Sequence, residues 1–267
     1  MKIVIIGSGS KGNCTFIQSN DAKILIDAGI SLLQIRKRLE QYHLNLDNLQ
    51  ALFITHEHTD HIKHMVSILK KNPTCELYID KLTYKESERK LGTSLKEFTT
   101  HFINQDTIYS LNDIDVVPIS LSHDVVNCFG YLVREFKEES NYSSFASLTD
   151  TGYVPKEYYK VLSQMNTLLI ESNYDTKMLK TSGRPIDLIN RILSDEGHLS
   201  NVDTSKFLKK IYNESIKQVI LGHISEECNI PSIAINEVEK AFDQEVPFEL
   251  FTAMQHDSIF VETKNNK

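Results

Sequence analysis

With 267 residues, 40% of them hydrophobic and 24% charged, the chain has the composition of an ordinary globular protein and the length for a substantial core. No stretch approaches the roughly 20 apolar residues of a membrane span, and the start Met1-Lys2-Ile3-Val4-Ile5-Ile6-Gly7 turns polar too soon for a signal peptide. A net charge of −7 argues against a broad non-specific nucleic-acid surface but leaves room for a local basic groove.

Four scattered cysteines without a CxxC pair fit a reducing, cytoplasmic setting. Lys2–Ile6 and Thr15–Gln18 read as strands, and the turn residues Asn20-Asp21 lead into a third, Lys23–Ile26, ending at Asp27. Ser31 is placed to cap a helix carrying Leu32, Leu33, Ile35 and Leu39. The apolar run Ala51–Ile54 reads as a buried strand, and the spacing of Ile62, Val66 and Leu69 predicts a helix over Ile62–Leu69. Strands are expected at Glu76–Ile79, Asp115–Leu121, Cys128–Arg134 and Phe145–Thr149, with Lys137–Ser144 as a polar hairpin loop. From Leu168 strand and helix alternate: Leu168–Ile170, helices near Pro185–Leu193 and Val202–Tyr212, then Gln218–Leu221. No linker or repeat interrupts this, so residues 1–267 are expected to form one domain, with residues 264–267 a frayed tail. Two halves, each strand-rich first and helix-bearing after, suggest packed sheets with helices outside.

Residues 55–61, Thr-His-Glu-His-Thr-Asp-His, put four metal-capable side chains, His56, His58, Asp60 and His61, directly after the Ala51–Ile54 strand. Such crowding makes little sense as packing and good sense as ligation of a borderline divalent metal. His56 and His58, two apart, can point the same way; Asp60 and His61 fall at the start of the next helix, so the motif can divide between two neighbouring metals. Asp27, His123, Asp150 and His223 each follow an apolar run, and polar side chains at successive strand ends converge on one rim. Gly7-Ser-Gly-Ser-Lys-Gly12 fits the GxGxxG dinucleotide fingerprint, but the strand-like Cys14–Gln18 follows where that motif needs a helix. A glycine-rich β-turn beside the site is the better reading. The basic clusters Arg36-Lys37-Arg38 and Lys206/Lys209/Lys210 read as solvated helix faces, and His43, His64, His101 and His256 receive no role.

In this order, Asp27, His56-Glu-His-Thr-Asp60-His61, His123, Asp150 and His223 resemble the metallo-β-lactamase superfamily. Gly7-Ser-Gly-Ser-Lys-Gly-Asn13, Leu148-Thr-Asp-Thr-Gly152, Ile170-Glu-Ser-Asn173, Gly197-His-Leu-Ser200 and Leu221-Gly-His-Ile-Ser225 are similar to its WalJ/YycJ/VicX group, regarded as DNA exonuclease-like. The resemblance implies an α/β fold, an αββα sandwich of two mixed β-sheets with helices on the outer faces. It also implies two divalent ions, Zn2+ or Mn2+, one held by His56, His58 and His123 and the other by Asp60, His61 and His223, with Asp150 bridging. Asp27 then fixes the His-rich loop from behind, Glu171 supports a His198 that assists the leaving group, and Ser8 and Asn13 are candidate substrate-binding residues. Only residues 151–222 separate Asp150 from His223, too few for the β-CASP-type cap of some nucleic-acid-processing relatives.

The function expected is a two-metal phosphodiesterase, an exonuclease acting on DNA ends and possibly on RNA, in which a metal-bridging hydroxide attacks phosphorus and His198 protonates the leaving group. The alternative is a small-molecule hydrolase of the same fold cleaving a thioester, lactone or cyclic phosphodiester. A purely structural metal site is disfavoured, because it seldom needs seven ligands for two ions.

Overall fold

The computed structural model describes residues 1–136 and 142–264. Six strands of the first half, β1 (Lys2–Gly7), β2 (Cys14–Gln18), β3 (Lys23–Ile26), β4 (Ala51–Phe53), β5 (Glu76–Ile79) and β6 (Thr100–Phe102), lie side by side in chain order. The second half builds its own sheet from β7 (Tyr109–Leu111), β8 (Ile114–Leu121), β9 (Cys128–Phe136), β10 (Tyr142–Leu148), β11 (Thr167–Glu171), β12 (Gln218–Gly222) and β13 (Glu249–Thr252), again in chain order. A last strand, β14 (Ile259–Glu262), returns to the free edge of β1 and completes two sheets of seven strands. Each sheet is mixed. In the first, β14, β1, β2 and β3 are antiparallel neighbours and β3 to β6 are parallel. In the second, β7 to β10 are antiparallel and β10 to β13 parallel.

Alternation along β1 explains the layering. Ile3 and Ile5 join Ile24, Phe53, Tyr131, Phe145, Leu169 and Ile220 in a core between the sheets. Val4 and Ile6 point the other way, into a core with Ile35, Leu39, Ile68 and Leu69. Strands buried on both faces lose the polar half of the alternating pattern and become apolar runs, as in Lys2–Gly7. The helices cover the outer faces: α1 (Leu32–Glu40), α2 (Thr59–Ile62), α3 (Met65–Lys71) and α4 (Lys81–Leu91) follow strands of the first half. Along the second half come α5 (Tyr159–Leu162), α6 (Thr176–Lys180), α7 (Ile186–Leu193), α8 (Asn201–Ile211) and α9 (Pro231–Ala241). Phe207, Leu208 and Ile211 of α8 and Ala234 and Val238 of α9 pack on Leu168, Ile170, Val219 and Leu221 of the sheet. The order helix, sheet, sheet, helix is the expected αββα sandwich.

Some local expectations change. Ile62–Leu69 is two helices: α2 ends at Ile62, and His64, at φ −109°, starts α3 at Met65. That break turns the His-rich segment back across the rim. The expected hairpin loop Lys137–Ser144 joins the antiparallel pair β9 and β10, but Tyr142–Ser144 already belong to β10, and residues 137–141 lie outside the described residues. Of the expected frayed tail, residues 265–267 lie outside the described residues, while Lys264 pairs with Glu249. Arg38 is not on a solvated face: its guanidinium hydrogen-bonds the carbonyls of Ile6 and His256 and ties α1 to β1 and to the loop between β13 and β14. The glycine-rich turn after β1 leads straight into β2, so no helix N-terminus is available for a dinucleotide.

Candidate metal centre

The site forms where strands of both sheets end at one edge. β10, β11 and β12 are parallel, so Asp150, Glu171 and His223 emerge at the same level. β8 is antiparallel to β9, which is antiparallel to β10, so His123 emerges there too. From the opposite sheet, parallel β3 and β4 deliver Asp27 and the His-rich loop. Asp27, Asp150 and His223 share a backbone feature: φ is 66°, 59° and 52°. This left-handed conformation is uncommon for residues with a Cβ, although Asp, Asn and His adopt it more readily than most. Three strands are thus stopped by a sharp turn at the residue whose side chain faces the rim.

Ligand atoms of four overlapping sets each lie within 4.8 Å of one another: His56/His58/His123, His56/His61/Asp150, Asp60/His61/His223 and Asp150/Glu171/His198/His223. Asp150 joins them, with Oδ2 3.2 Å from His61 Nε2 and Oδ1 3.4 Å from His223 Nε2 and 3.9 Å from His123 Nε2. Four histidines are held by Nδ1 and present Nε2 inward. His56 Nδ1 lies 3.0 Å from Thr55 Oγ1, and His61 Nδ1 lies 2.7 Å from Asp27 Oδ2. His123 Nδ1 lies 3.1 Å from the Gly197 carbonyl, and His223 Nδ1 lies 2.8 Å from Glu171 Oε1. Anchoring one ring nitrogen fixes the ring and tautomer and leaves the other as a ligand.

The fit to a metal rests on what is left unbonded. His56 Nε2, His223 Nε2 and Asp150 Oδ2 are buried and have no hydrogen-bond partner among the described residues; the His61 Nε2 near Asp150 Oδ2 is already met by Asn13 Nδ2 at 2.9 Å. A buried polar atom left this way costs about 1–3 kcal/mol, and orphaned atoms within the overlapping ligand sets are what divalent metal binding would satisfy. Electrostatics agree. Burial, then the neighbouring His61, keeps His56 well below the usual imidazole range, and burial with His123 beside it takes His58 down to about 4. Both are therefore neutral and carry a lone pair. Burial alone would raise Asp150, but the charges of His223 and His61 outweigh it and keep it ionised. His223 is depressed by burial and raised more strongly by Asp150 and Glu171, to about 9.

Glu171 is fully buried, and its two oxygens face four N–H groups: His198 Nδ1 at 2.7 Å and His223 Nδ1 at 2.8 Å on Oε1, Thr151 N at 2.9 Å and Leu199 N at 3.3 Å on Oε2. Burial raises its pKa, but the His198 charge and the bonds to His198 and His223 bring it to about 2. A carboxylate so engaged orients two imidazoles and has little left for a metal, so the set containing it is best read as support for His198 and His223. Asp27 plays the same part opposite, accepting from Thr55 N at 2.9 Å as well as holding His61.

Ser8 and Asn13 are buried against the cluster, Ser8 at the main chain of His223 and Asn13 at the inward-facing nitrogen of His61. Ser8 Oγ accepts the His223 backbone N–H at 2.8 Å, and Asn13 Nδ2 lies 2.9 Å from His61 Nε2 and 3.3 Å from Asp60 Oδ2. Three residues were missed. Asn173 Nδ2 reaches the His223 carbonyl at 2.8 Å; Asp124 Oδ1 lies 3.5 Å from His123 Nε2 and 3.9 Å from His58 Nε2; and Arg191 binds Asp124 from α7. Adjacency to His123 was the available signal for Asp124; nothing in the sequence marks Arg191, which arrives through tertiary packing. The cleft, about 270 Å³, is lined by His58, Asp60, His198 and His223 together with Arg184 and Arg191.

Two mixed sheets inside helices, with a His/Asp cluster at the strand ends, define a metal-binding protein of the metallo-β-lactamase fold. A family model described as the beta-lactamase superfamily domain matches residues 22–224, and the chain belongs to that family. Among curated proteins it is 34% identical over 235 residues to the exodeoxyribonuclease WalJ of Streptococcus pneumoniae, covering 87% of this chain and 85% of that one. It is 29% identical over 240 residues to the exodeoxyribonuclease YycJ of Bacillus anthracis, covering 90% and 88%. Among solved structures it resembles the metallo-beta-lactamase fold protein YhfI of Bacillus subtilis (TM-score 0.69, 15% identity, 97% and 99% covered). It also resembles the short form of human tRNase Z (TM-score 0.64, 16% identity, 99% and 100% covered). At such identities the structural likeness concerns the fold.

Proposed function

We propose that this chain is a cytoplasmic exodeoxyribonuclease that uses two divalent ions, Zn2+ or Mn2+, to hydrolyse phosphodiester bonds. The observation that carries the reading is the convergence of the orphaned His56 Nε2, His223 Nε2 and Asp150 Oδ2 at one rim, in a chain 34% identical to an exodeoxyribonuclease over 87% of its length. His56, His58 and His123 would hold one ion, Asp60, His61 and His223 the other, with Asp150 between them. Bound ions of this kind lower the pKa of water toward ~7 and neutralise phosphate charge.

The chain's own residues supply the rest. Glu171 accepts the Nδ1–H of His198, so His198 Nε2 is left to give a proton to the departing oxygen. His198 lines the cleft, where that proton is needed. Arg184 and Arg191 in the same cleft are paired with Glu227 and Asp124, and an entering phosphate competes with those carboxylates for the guanidinium donors. No described helix is long and apolar enough to cross a membrane, and DNA ends are the substrate this reading assigns.

The test offers Mn2+- or Zn2+-loaded protein 5′-phosphorylated single- and double-stranded DNA labelled at either end, beside Asp150→Asn. Asn tolerates the left-handed backbone at this position, so the variant should fold. Stepwise mononucleotide release that the variant loses supports the proposal and gives the polarity. No cleavage by protein with two ions bound per chain refutes it in favour of a small-molecule hydrolase.

A further inference from the structure

Beside the metal cleft lies a second cavity of about 360 Å³, which shares His198 with it. Its walls come from the loop after β10, from α5, from the end of α7 and the loop after it, and from α8; they carry Tyr153, Tyr159, Lys206 and Lys210 together with Asp195 and Asp203. Tyr153 is 47% exposed although it sits only three residues past Asp150, and Leu193, 38% exposed, lines the cavity with it. An aromatic ring left open to water beside a reaction centre has given up burial that an ordinary surface position would not require of it. Lys206 and Lys210 stand on the same face of α8, one helical turn apart. Neither forms an ion pair among the described residues, whereas Lys209, between them in sequence, pairs with Asp243 at 3.6 Å. Lys210 Nζ lies 5.3 Å from the centre of the Tyr159 ring, which holds it against the cavity wall. The acidic neighbour Asp203 is turned to its own helix start, where it accepts the Ser200 hydroxyl at 2.6 Å. Asp195 lines the cavity as well, so Lys206 and Lys210 are its free cationic groups, among the described residues, in a lining of mixed sign.

We infer that this cavity binds the single nucleic-acid strand continuing from the scissile bond, with an unpaired base stacked on Tyr153 and successive phosphates met by Lys206 and Lys210. The inference rests on the phosphodiesterase reading of the neighbouring cleft. Stacking on an aromatic ring beside a basic track is how proteins hold single strands without reading their sequence. Continuity through His198 gives the strand a path: a phosphodiester in the metal cleft leaves the next nucleotide at the mouth of this cavity. A duplex end must fray to feed successive bases into it, because a base inside the duplex has both faces stacked on its neighbours.

Two probes separate this inference from the reading beneath it. The first is bis(p-nitrophenyl) phosphate, a lone phosphodiester without neighbouring nucleotides. The second is a fluorescein-labelled single-stranded oligodeoxynucleotide, followed by anisotropy on an Asp150→Asn background so that binding is read without turnover. Tyr153→Ala is expected to weaken oligonucleotide binding about tenfold, and Tyr153→Phe, which keeps the ring, to restore most of it. Lys206→Gln/Lys210→Gln should weaken binding and lower the slope of log Kd against log salt by about 1.4, or roughly 0.7 per lost single-strand phosphate contact. In Asp150-containing protein, the kcat/KM for oligonucleotide should fall at least about tenfold relative to that for the small diester. Oligonucleotide affinity and salt slope that match the parent in all of these variants overturn the inference, while hydrolysis of the small diester leaves the phosphodiesterase reading standing. If the diester is not hydrolysed and the parent binds no oligonucleotide, both are overturned.

Discussion

Replacing Glu171 by Gln isolates the most heavily bonded side chain of the site. The carboxylate faces two imidazole Nδ1 atoms on one oxygen and two backbone N–H groups on the other. An amide can keep only one side. If its oxygen stays with His198 and His223, its NH2 meets the N–H groups of Thr151 and Leu199, and two buried donors lose their acceptor. At about 1–3 kcal/mol for each buried group left unsatisfied, with the 3.3 Å Leu199 contact at the weak end, the loss is about 2–4 kcal/mol. Loss of the negative charge also weakens the hold on His223 and should lower affinity for the ion bound there about 10- to 100-fold. It removes the group that stabilises a protonated His198, so turnover should fall about 10²-fold or more even with saturating metal. Urea denaturation of the metal-free protein, metal content after dialysis against a chelator series, and hydrolysis of a chromogenic diester at saturating metal read the three effects separately. Glu171→Gln protein with parental stability, metal affinity and turnover would refute the role assigned to this carboxylate.

His198→Ala should lower turnover about 10²-fold while dialysed protein keeps its metal; loss of an ion in that variant would make His198 a ligand instead. Gly29→Ala should cost about 3 kcal/mol or more, because a Cβ there would lie 1.6 Å from the Asp60 carbonyl oxygen; a denaturation midpoint unchanged from the parent would contradict the packing of the His-rich loop. Metal uptake should release protons. His223, raised to about 9 in the metal-free protein, carries its proton below that pH and must lose it to ligate. Titration calorimetry at pH 7 in buffers of different ionisation enthalpy should therefore give buffer-dependent heats, with the His223 share fading as pH rises through 9; heats independent of buffer would exclude a protonated His223.

Residues at this rim were legible because the candidate metal ligands follow short apolar runs and because ligation needs particular side chains. Asp27, His123, Asp150 and His223 each stand just past the end of a strand. The pattern failed where burial is incomplete or polar. The Lys81–Leu91 segment of α4 buries only Thr83 and Ser87, so it has no apolar stripe for sequence to display. β6 and β7 lie at the outer edges of their sheets with exposed or half-buried residues, and β14 is defined by its distant partner β1. Ser8 and Asn13 stood out as part of a glycine-rich turn, but sequence could not say that the turn folds onto His61 and His223. The cleft's Arg184 and Arg191 come from α7 and its preceding loop, and no local pattern distinguishes them from solvated arginines.

The left-handed turns at Asp150 and His223 also limit which donors this protein can use. Few side chains settle readily into that conformation, chiefly Asn, Asp and His besides glycine. They offer oxygen or imidazole nitrogen, the chemistry of hard and borderline cations. A thiolate, which would draw the centre toward softer metals, has no comparable preference for such a turn. Metal choice is therefore written partly into the main chain, and converting the rim to a sulfur-rich one would require rebuilding the strand ends as well as exchanging side chains.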